Sequence, residues 1–471
     1  MKLHPFLLVF MCLIAQSAMA QDWAGSATSD HDARYLTEGP LLIQNVTYLD
    51  GRGNLPKHMR DILITSGKIN RIASTSTIDS LPENTHVINA KGMTAMPGFI
   101  DLHLHVGATA FDVDSNSPGN EPTKDDIQVT LNALLYSGVT TILDMGNDHD
   151  MIVGLRDARA AGYIPGPKIV TVGEIIPRLQ TVKGTANMTS PEVKAEINEL
   201  LDKRQAAGIE IVKIYGGFSN WEARHLTNAA HQRGMRVVAD MWCSNLGRST
   251  FEATNVDAFA HGACSPLPES EAAWMAAHHK FAMMTLTAFD YMGSHRAYKD
   301  YETKAFLKDP LVVGPHGTAL VEDYYDKFFA VREWVNVGHE SFFQQQLFGD
   351  LTHMLPDTKI TVKRLFNAGV LIGLGTDAVW PPGNWPGESF HNEMLLHVEA
   401  GIPEQKVIQM ATYNGARILK MEDERGSIEA GKVADIVLVK GSPVENINNT
   451  RNITYVLQAG RIVNRKALTK K

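Results

Sequence analysis

The sequence predicts an α/β fold in two parts: a parallel βα region over residues 96–420, and a small β-sandwich domain assembled from residues 21–95 and 421–471. Three observations predict it. Through the middle, short apolar strand-like runs alternate with helix-like segments, the pattern of successive βαβ units. Towards both ends, strand-like runs follow one another with only turn residues between them. Finally, 44% of the 471 residues are apolar and 20% charged, an ordinary globular balance with material for a large core.

Charge narrows the partners. A net charge of -8 and a pI near 6.1 offer no basic surface for nucleic acid, so a small-molecule partner is expected, with homo-oligomerisation left open. The first twenty residues have the layout of a secretory signal peptide: Lys2, an apolar run from Pro5 to Ala15, and Ala18-Met19-Ala20 before Gln21. Cleavage after Ala20 would deliver the chain to the periplasm or outside the cell. No later run reaches the ~18 apolar residues of a membrane span. Of the cysteines, Cys12 lies in the signal, while Cys243 and Cys264 each stand three residues beyond a candidate site residue, Asp240 and His261. On adjacent strands ~4.8 Å apart they approach disulfide geometry; two free buried thiols are the equal alternative.

In chain order, Leu41 to Tyr48 and Asp61 to Ile72 read as hairpin strands, with Asp50-Gly51 and Ser66-Gly67 as turns. The apolar run from Ala95, through Phe99, Ile100 and Leu102, reads as the first parallel strand. The next are Val139–Asp144, Lys168–Val172, Ile209–Lys213, Arg236–Asp240, Ala258–His261, Ala282–Thr287 and Val370–Asp377. A segment of about 290–360 reads as a helical insertion over the strand ends, its aromatics Tyr324, Phe328, Trp334 and Phe343 more apt to pack than to touch substrate. Gly426–Val439 and Ile453–Val463 repeat the strand style of the N-terminal part.

In such architectures chemistry sits where strands end, so the polar residues that terminate apolar runs are the candidates. His103 and His105 close the first strand at period-two spacing, which points both imidazoles to one side as a chelate for a borderline-soft cation such as Zn²⁺. Asp377 closes the last, where it can ligate a metal and take a proton from attacking water. His261, Asp240 and Lys213 close the sixth, fifth and fourth. A bare lysine ammonium beside a divalent ion is repelled, so Lys213 is modified, deprotonated or away from the metal. Trp380, Trp385 and His391 follow the last strand, as pocket lining or as loop packing.

The string Met96-Pro-Gly-Phe-Ile-Asp-Leu-His-Leu-His105 resembles the first-strand motif of the amidohydrolase superfamily of metal-dependent hydrolases. Gly138-Val-Thr-Thr-Ile-Leu-Asp-Met-Gly146 and Ile164-Pro-Gly-Pro-Lys168 are similar to its imidazolonepropionase-like and Xaa-Pro dipeptidase-like branch, and Gly431-Lys-Val-Ala-Asp-Ile-Val437 to its C-terminal signature. This resemblance implies a (β/α)8 TIM barrel bearing the composite β-sandwich. It also implies a divalent-metal site, Zn or Mn, of one or two ions held by His103, His105, Lys213 as a bridging carbamate, Asp240, His261 and Asp377. Asp377 then acts as general base and His261 as ligand or carbonyl polariser. Relatives carry histidine where Asp240 stands, so an oxygen donor replaces nitrogen and favours a harder metal, or the second ion is lost. The expected reaction is hydrolysis of an amide-type C–N bond in a dipeptide, N-acyl amino acid or cyclic amide by metal-activated water. A mononuclear deaminase or cyclic-amide hydrolase, a lactonase or esterase, and a non-catalytic metal- or ligand-binding protein remain as alternatives.

Overall fold

The computed structural model describes residues 35–37, 39–78, 80–106, 123–176, 191–214, 218–240, 247–262, 265–293, 303–334, 353–378 and 384–470. The expected signal peptide, Cys243, Cys264, Trp380 and Phe343 lie outside these residues. Sixteen strands are present among them. They begin with β1 (Leu41–Tyr48), β2 (Lys57–Thr65), β3 (Lys68–Ser74), β4 (His86–Asn89) and β5 (Met93–Pro97). Next come β6 (Phe99–Leu104), β7 (Val139–Asp144), β8 (Lys168–Thr171), β9 (Ile211–Ile214), β10 (Arg236–Asp240), β11 (Ala258–Ala260), β12 (Phe281–Met284) and β13 (Leu371–Leu374). The chain closes with β14 (Ile436–Lys440), β15 (Ile453–Gln458) and β16 (Arg461–Ile462).

Strands from both chain ends share one eight-stranded sheet, ordered β16-β15-β14-β5-β1-β2-β3 with β4 also on β1. Antiparallel pairing of β14 with β5, Val437 opposite Met96, joins the two ends. The β2–β3 turn is formed by Ser66 and Gly67, at φ 50° and 75°, the left-handed pair that a two-residue hairpin requires. Ile43, Ile62, Ile64, Leu438 and Leu457 are among its core residues.

The eight middle strands are all parallel, in two sheets, β6-β7-β8 and β13-β12-β11-β10-β9. Parallel bridges extend both outer edges, Leu104 to Ala378 and Ile176 to Ile214. Alternate strand residues enter two cores. Ile100, Leu102, Leu143, Ile211, Val238, Ala260 and Met283 meet in one, and Phe99, Ile142, Val212, Val237, Phe259, Ala282 and Ile372 pack with helix residues in the other. Between the strands run helices that the sequence caps itself. Thr123 and Asp126 form a capping box on Lys124–Tyr136, and Ser219 and Glu222 one on Asn220–Gln232.

Three sequence expectations change. The run from Ala95 is two strands: Gly98 breaks it, and a side chain there would strike Thr140, so the chain leaves the terminal sheet at Pro97 and enters the parallel one at Phe99. Strict period two also fails within β6. Its register with β7 shifts between Asp101 and Leu104, so Leu102 faces the first core and Leu104 the second, a bulge at the point where the histidines emerge. Leu286 and Thr287 begin the helix Leu286–Gly293 instead of continuing β12. In the 290–360 region the described parts are helical, and Tyr324 is buried with Phe306, Tyr325 and Trp385.

Candidate metal centre

All six sequence-derived site residues meet at the C-terminal ends of β6, β9, β10, β11 and β13. His103 lies in β6 and His105 just beyond it; Lys213 is in β9, Asp240 ends β10, His261 follows β11 and Asp377 follows β13. Five are buried, Lys213 to 1% exposure and His103 completely, while His105 keeps about one fifth of its side chain open. His261 and Asp377 have positive φ, 69° and 57°, a backbone conformation that costs a non-glycine residue about 1–2 kcal/mol. Here it turns both side chains into the cluster.

The contacts fall into two groups. In the first, His103 Nε2 and His105 Nε2 stand 3.5 and 3.4 Å from Asp377 Oδ1. Ligand atoms at ~2.0–2.1 Å from a tetrahedral ion are separated by roughly 3.3 Å, so this spacing suits one shared cation. His105 Nδ1 lies 2.8 Å from the Gly146 carbonyl, which can only accept; the N–H is therefore on Nδ1, leaving Nε2 a lone pair for a metal. Burial, then Lys213, His261 and His105, push the His103 imidazolium well below the usual range, which keeps the ring neutral as a ligand must be.

In the second group Asp240 Oδ2 accepts from Lys213 Nζ at 2.9 Å and from His261 Nε2 at 3.1 Å, and Lys213 Nζ also lies 3.3 Å from His103 Nε2. His261 Nδ1 is 2.9 Å from the Thr285 hydroxyl and 3.8 Å from Asp377 Oδ2. Burial would raise the Asp240 carboxyl, but His261 and Lys213 outweigh it and hold the group well below the carboxylate range. Its Oδ1 is buried without a hydrogen-bond partner among the described residues, an open lone pair in a site of nitrogen and oxygen donors. His103, Asp240 and His261 also lie close enough to hold an ion, but that set and the His103–His105–Asp377 set both draw on His103.

A supporting layer was not singled out from the sequence. Asp101 accepts from the His103 and Thr376 amides and the Thr376 hydroxyl, tying the residue before Asp377 to the strand that carries His103. Burial raises it to about 7. Glu393 accepts from the Leu286 and Thr287 amides, and the Thr287 hydroxyl lies 2.9 Å from it and 3.0 Å from the Thr376 carbonyl. Asp144 accepts from the Val106 and Gly146 amides, fixing the chain just past His105 and the carbonyl that His105 uses. Asp144 ends an apolar run, so the strand-end rule that found Asp240 would have found it. Glu393 had no such signal. Trp385 and His391 pack instead of lining the centre: Trp385 is fully buried against Tyr324 and His316, and His391 is spent on Thr450 and Ser137.

The chain is similar to known proteins over most of its length. The sequence pattern of the amidohydrolase family matches residues 94–463. The chain is 22% identical over 442 residues to the dihydroorotase of Aquifex aeolicus (strain VF5), covering 88% of this chain and 92% of that one. It is 24% identical to the 5-methylthioadenosine/S-adenosylhomocysteine deaminase of Desulforudis audaxviator (strain MP104C), covering 84% of each. The fold is similar, with a TM-score of 0.65 and 22% identity, to the crystal structure of a Xaa-Pro dipeptidase with bound methionine in the active site, over 90% of this chain and 99% of that one.

Proposed function

Given that the chain belongs to the amidohydrolase family and is a hydrolase acting on C–N bonds of a small-molecule substrate, we propose that it is an exported metal-dependent enzyme cleaving an amide-type bond in a dipeptide, N-acyl amino acid or cyclic amide. In this reading the eight parallel strands close as a (β/α)8 barrel, supported by the Leu104–Ala378 and Ile176–Ile214 bridges, with both chain ends forming the smaller domain. Among the described residues no helix is long and apolar enough to cross a membrane. Export rests on the Lys2 to Ala20 sequence.

The observation that carries the reading is the convergence of His103, His105 and Asp377 on one point. These residues would hold one divalent ion, Zn²⁺ by the nitrogen-rich donor set. Such a cation supplies Lewis acidity, which lets water act as a nucleophile at neutral pH and polarises a carbonyl. Asp377, anchored through Thr376 to Asp101, takes the proton from the attacking water and returns it to the leaving nitrogen. His261 stands beside that carboxylate, next to where negative charge develops on the carbonyl oxygen. Asp240 offsets the Lys213 charge that would otherwise face the cation.

A second reading is favoured by the closeness of His103, Asp240 and His261: a second ion, Zn or Mn, on Asp240 and His261, with Lys213 carbamylated as a bridging oxygen ligand. The test is a substrate panel of Xaa-Pro and other dipeptides, N-acyl amino acids, cyclic amides, lactones and aminopurines. Amide hydrolysis that a chelator abolishes and Zn²⁺ or Mn²⁺ restores supports the proposal. Turnover of lactones or aminopurines alone overturns the amide assignment.

A further inference from the structure

Asp377 reaches the centre from a left-handed backbone, φ 57°, and such a conformation persists only where the surrounding structure holds it. The peptide plane that joins Thr376 to Asp377 is held from both sides. On its N–H side, Asp377 donates to the His103 carbonyl at 2.7 Å. On its C=O side, the Thr376 oxygen accepts from Asn384 Nδ2 at 2.7 Å and lies 3.0 Å from the Thr287 hydroxyl. Because a peptide unit is planar, fixing both ends fixes the plane from which the Asp377 side chain departs.

Thr287 reaches that plane from another strand exit. It is the second residue of the helix Leu286–Gly293 that follows β12, and its hydroxyl crosses to the end of β13, 89 residues further on. The hydroxyl has one proton and two neighbours, the Thr376 carbonyl at 3.0 Å and Glu393 Oε2 at 2.9 Å. A carbonyl can only accept, whereas a protonated carboxyl can donate. Glu393, on the helix Glu388–Glu399, is fully buried, and burial raises it to about 8, so at neutral pH it keeps a proton. With that proton given to the Thr287 oxygen, the Thr287 proton is left for Thr376. The donors then run in one direction, from Glu393 to Thr287 to the Thr376 carbonyl, through three residues of zero exposure.

We propose that Thr287 is a positioning residue for the metal centre: its hydroxyl, oriented by Glu393, fixes the peptide before Asp377 and keeps that carboxylate aimed at the point it shares with His103 and His105. Thr287 acts through Asp377 and is not itself a ligand. The inference rests on the reading of His103, His105 and Asp377 as holders of one divalent ion.

Competition titration of the full chain with Zn²⁺ against a chromophoric chelator, in wild type, Thr287→Val and Thr287→Ser, tests it. Valine keeps the volume and removes the hydroxyl; serine keeps the hydroxyl and removes the methyl. Thr287→Val should bind Zn²⁺ about 10–100-fold more weakly than wild type, the loss typical when a group that orients a metal ligand is removed. Thr287→Ser should bind close to wild type, whereas a packing role predicts the reverse order. Thermal melts should find Thr287→Val folded, because the Thr376 carbonyl keeps Asn384. Thr287→Ala against Thr287→Ser repeats the hydroxyl comparison without valine, and alanine should be the weaker binder. Affinity unchanged in Thr287→Val, or serine no better than valine and alanine, overturns this inference and leaves the metal reading standing. A wild-type chain that takes up no Zn²⁺ overturns both.

Discussion

In the terminal sheet the buried carboxylate of Asp61, 1% exposed, accepts from the Asn45 and Ser76 amides at 3.0 Å, and Ile43, Ile62 and Leu438 lie in the sheet's core. At the C-terminal ends of the parallel strands the buried groups are instead His103, His261, Lys213, Asp240 and Asp377. There one Asp240 oxygen and His103 Nδ1 have no partner among the described residues. One region surrounds its buried carboxylate with amide donors. The other keeps costly groups together, as a site does when its ligand completes it.

The sharpest way to break this contrast is to change each region and read both outputs. Asp377→Asn should reduce hydrolysis by about 10²–10⁴-fold while leaving the melting temperature at or above that of wild type. Ile62→Ala should cost about 2–5 kcal/mol of stability and leave kcat unchanged. Paired turnover assays and thermal melts decide it; a melting temperature that collapses with Asp377→Asn would make that carboxylate structural.

Within the site, Asp240→Asn leaves the buried Lys213 ammonium without its carboxylate, a loss of about 3–5 kcal/mol. Lys213→Met removes the cation instead and should cost less, because Asp240 keeps His261. Chemical denaturation of the two variants orders them, and the reverse order would contradict the ion-pair account.

A smaller effect separates the supporting layer from both regions. Burial raises Glu393 from 4.5 to about 8, so the folded chain holds a proton there that the unfolded chain has released. Its stabilisation is complete below the unfolded value and is lost as pH rises through about 8. Melting curves should therefore show wild type losing stability relative to Glu393→Gln between those limits. His391 and His397, pushed down by burial to about 3 and 4, remain in both proteins and cancel in the difference. Parallel curves for the two proteins would contradict the assignment.

Most of the strand pattern, and the strand-end positions of the six candidate residues, were legible because they depend on local sequence. β7 and β10 begin and end where their apolar runs do, Val139–Asp144 and Arg236–Asp240. Leu286 and Thr287 misled because an apolar leucine and a β-branched threonine continue the strand-like run of β12, whereas the helix start is fixed by Glu393, 107 and 106 residues away. The bulge in β6 and the bond from Thr376 to Asp101, across 275 residues, are likewise tertiary events. No periodicity in the chain encodes them.

Metal content of the purified full chain, measured by mass spectrometry beside His105→Ala, tests the central claim most directly. The account predicts near one equivalent of divalent metal per wild-type chain and its loss in the variant, whose fold should persist because His105 is the most exposed of the six residues. Wild-type protein without metal after exposure to Zn²⁺ and Mn²⁺, or full metal content retained in His105→Ala, would contradict it.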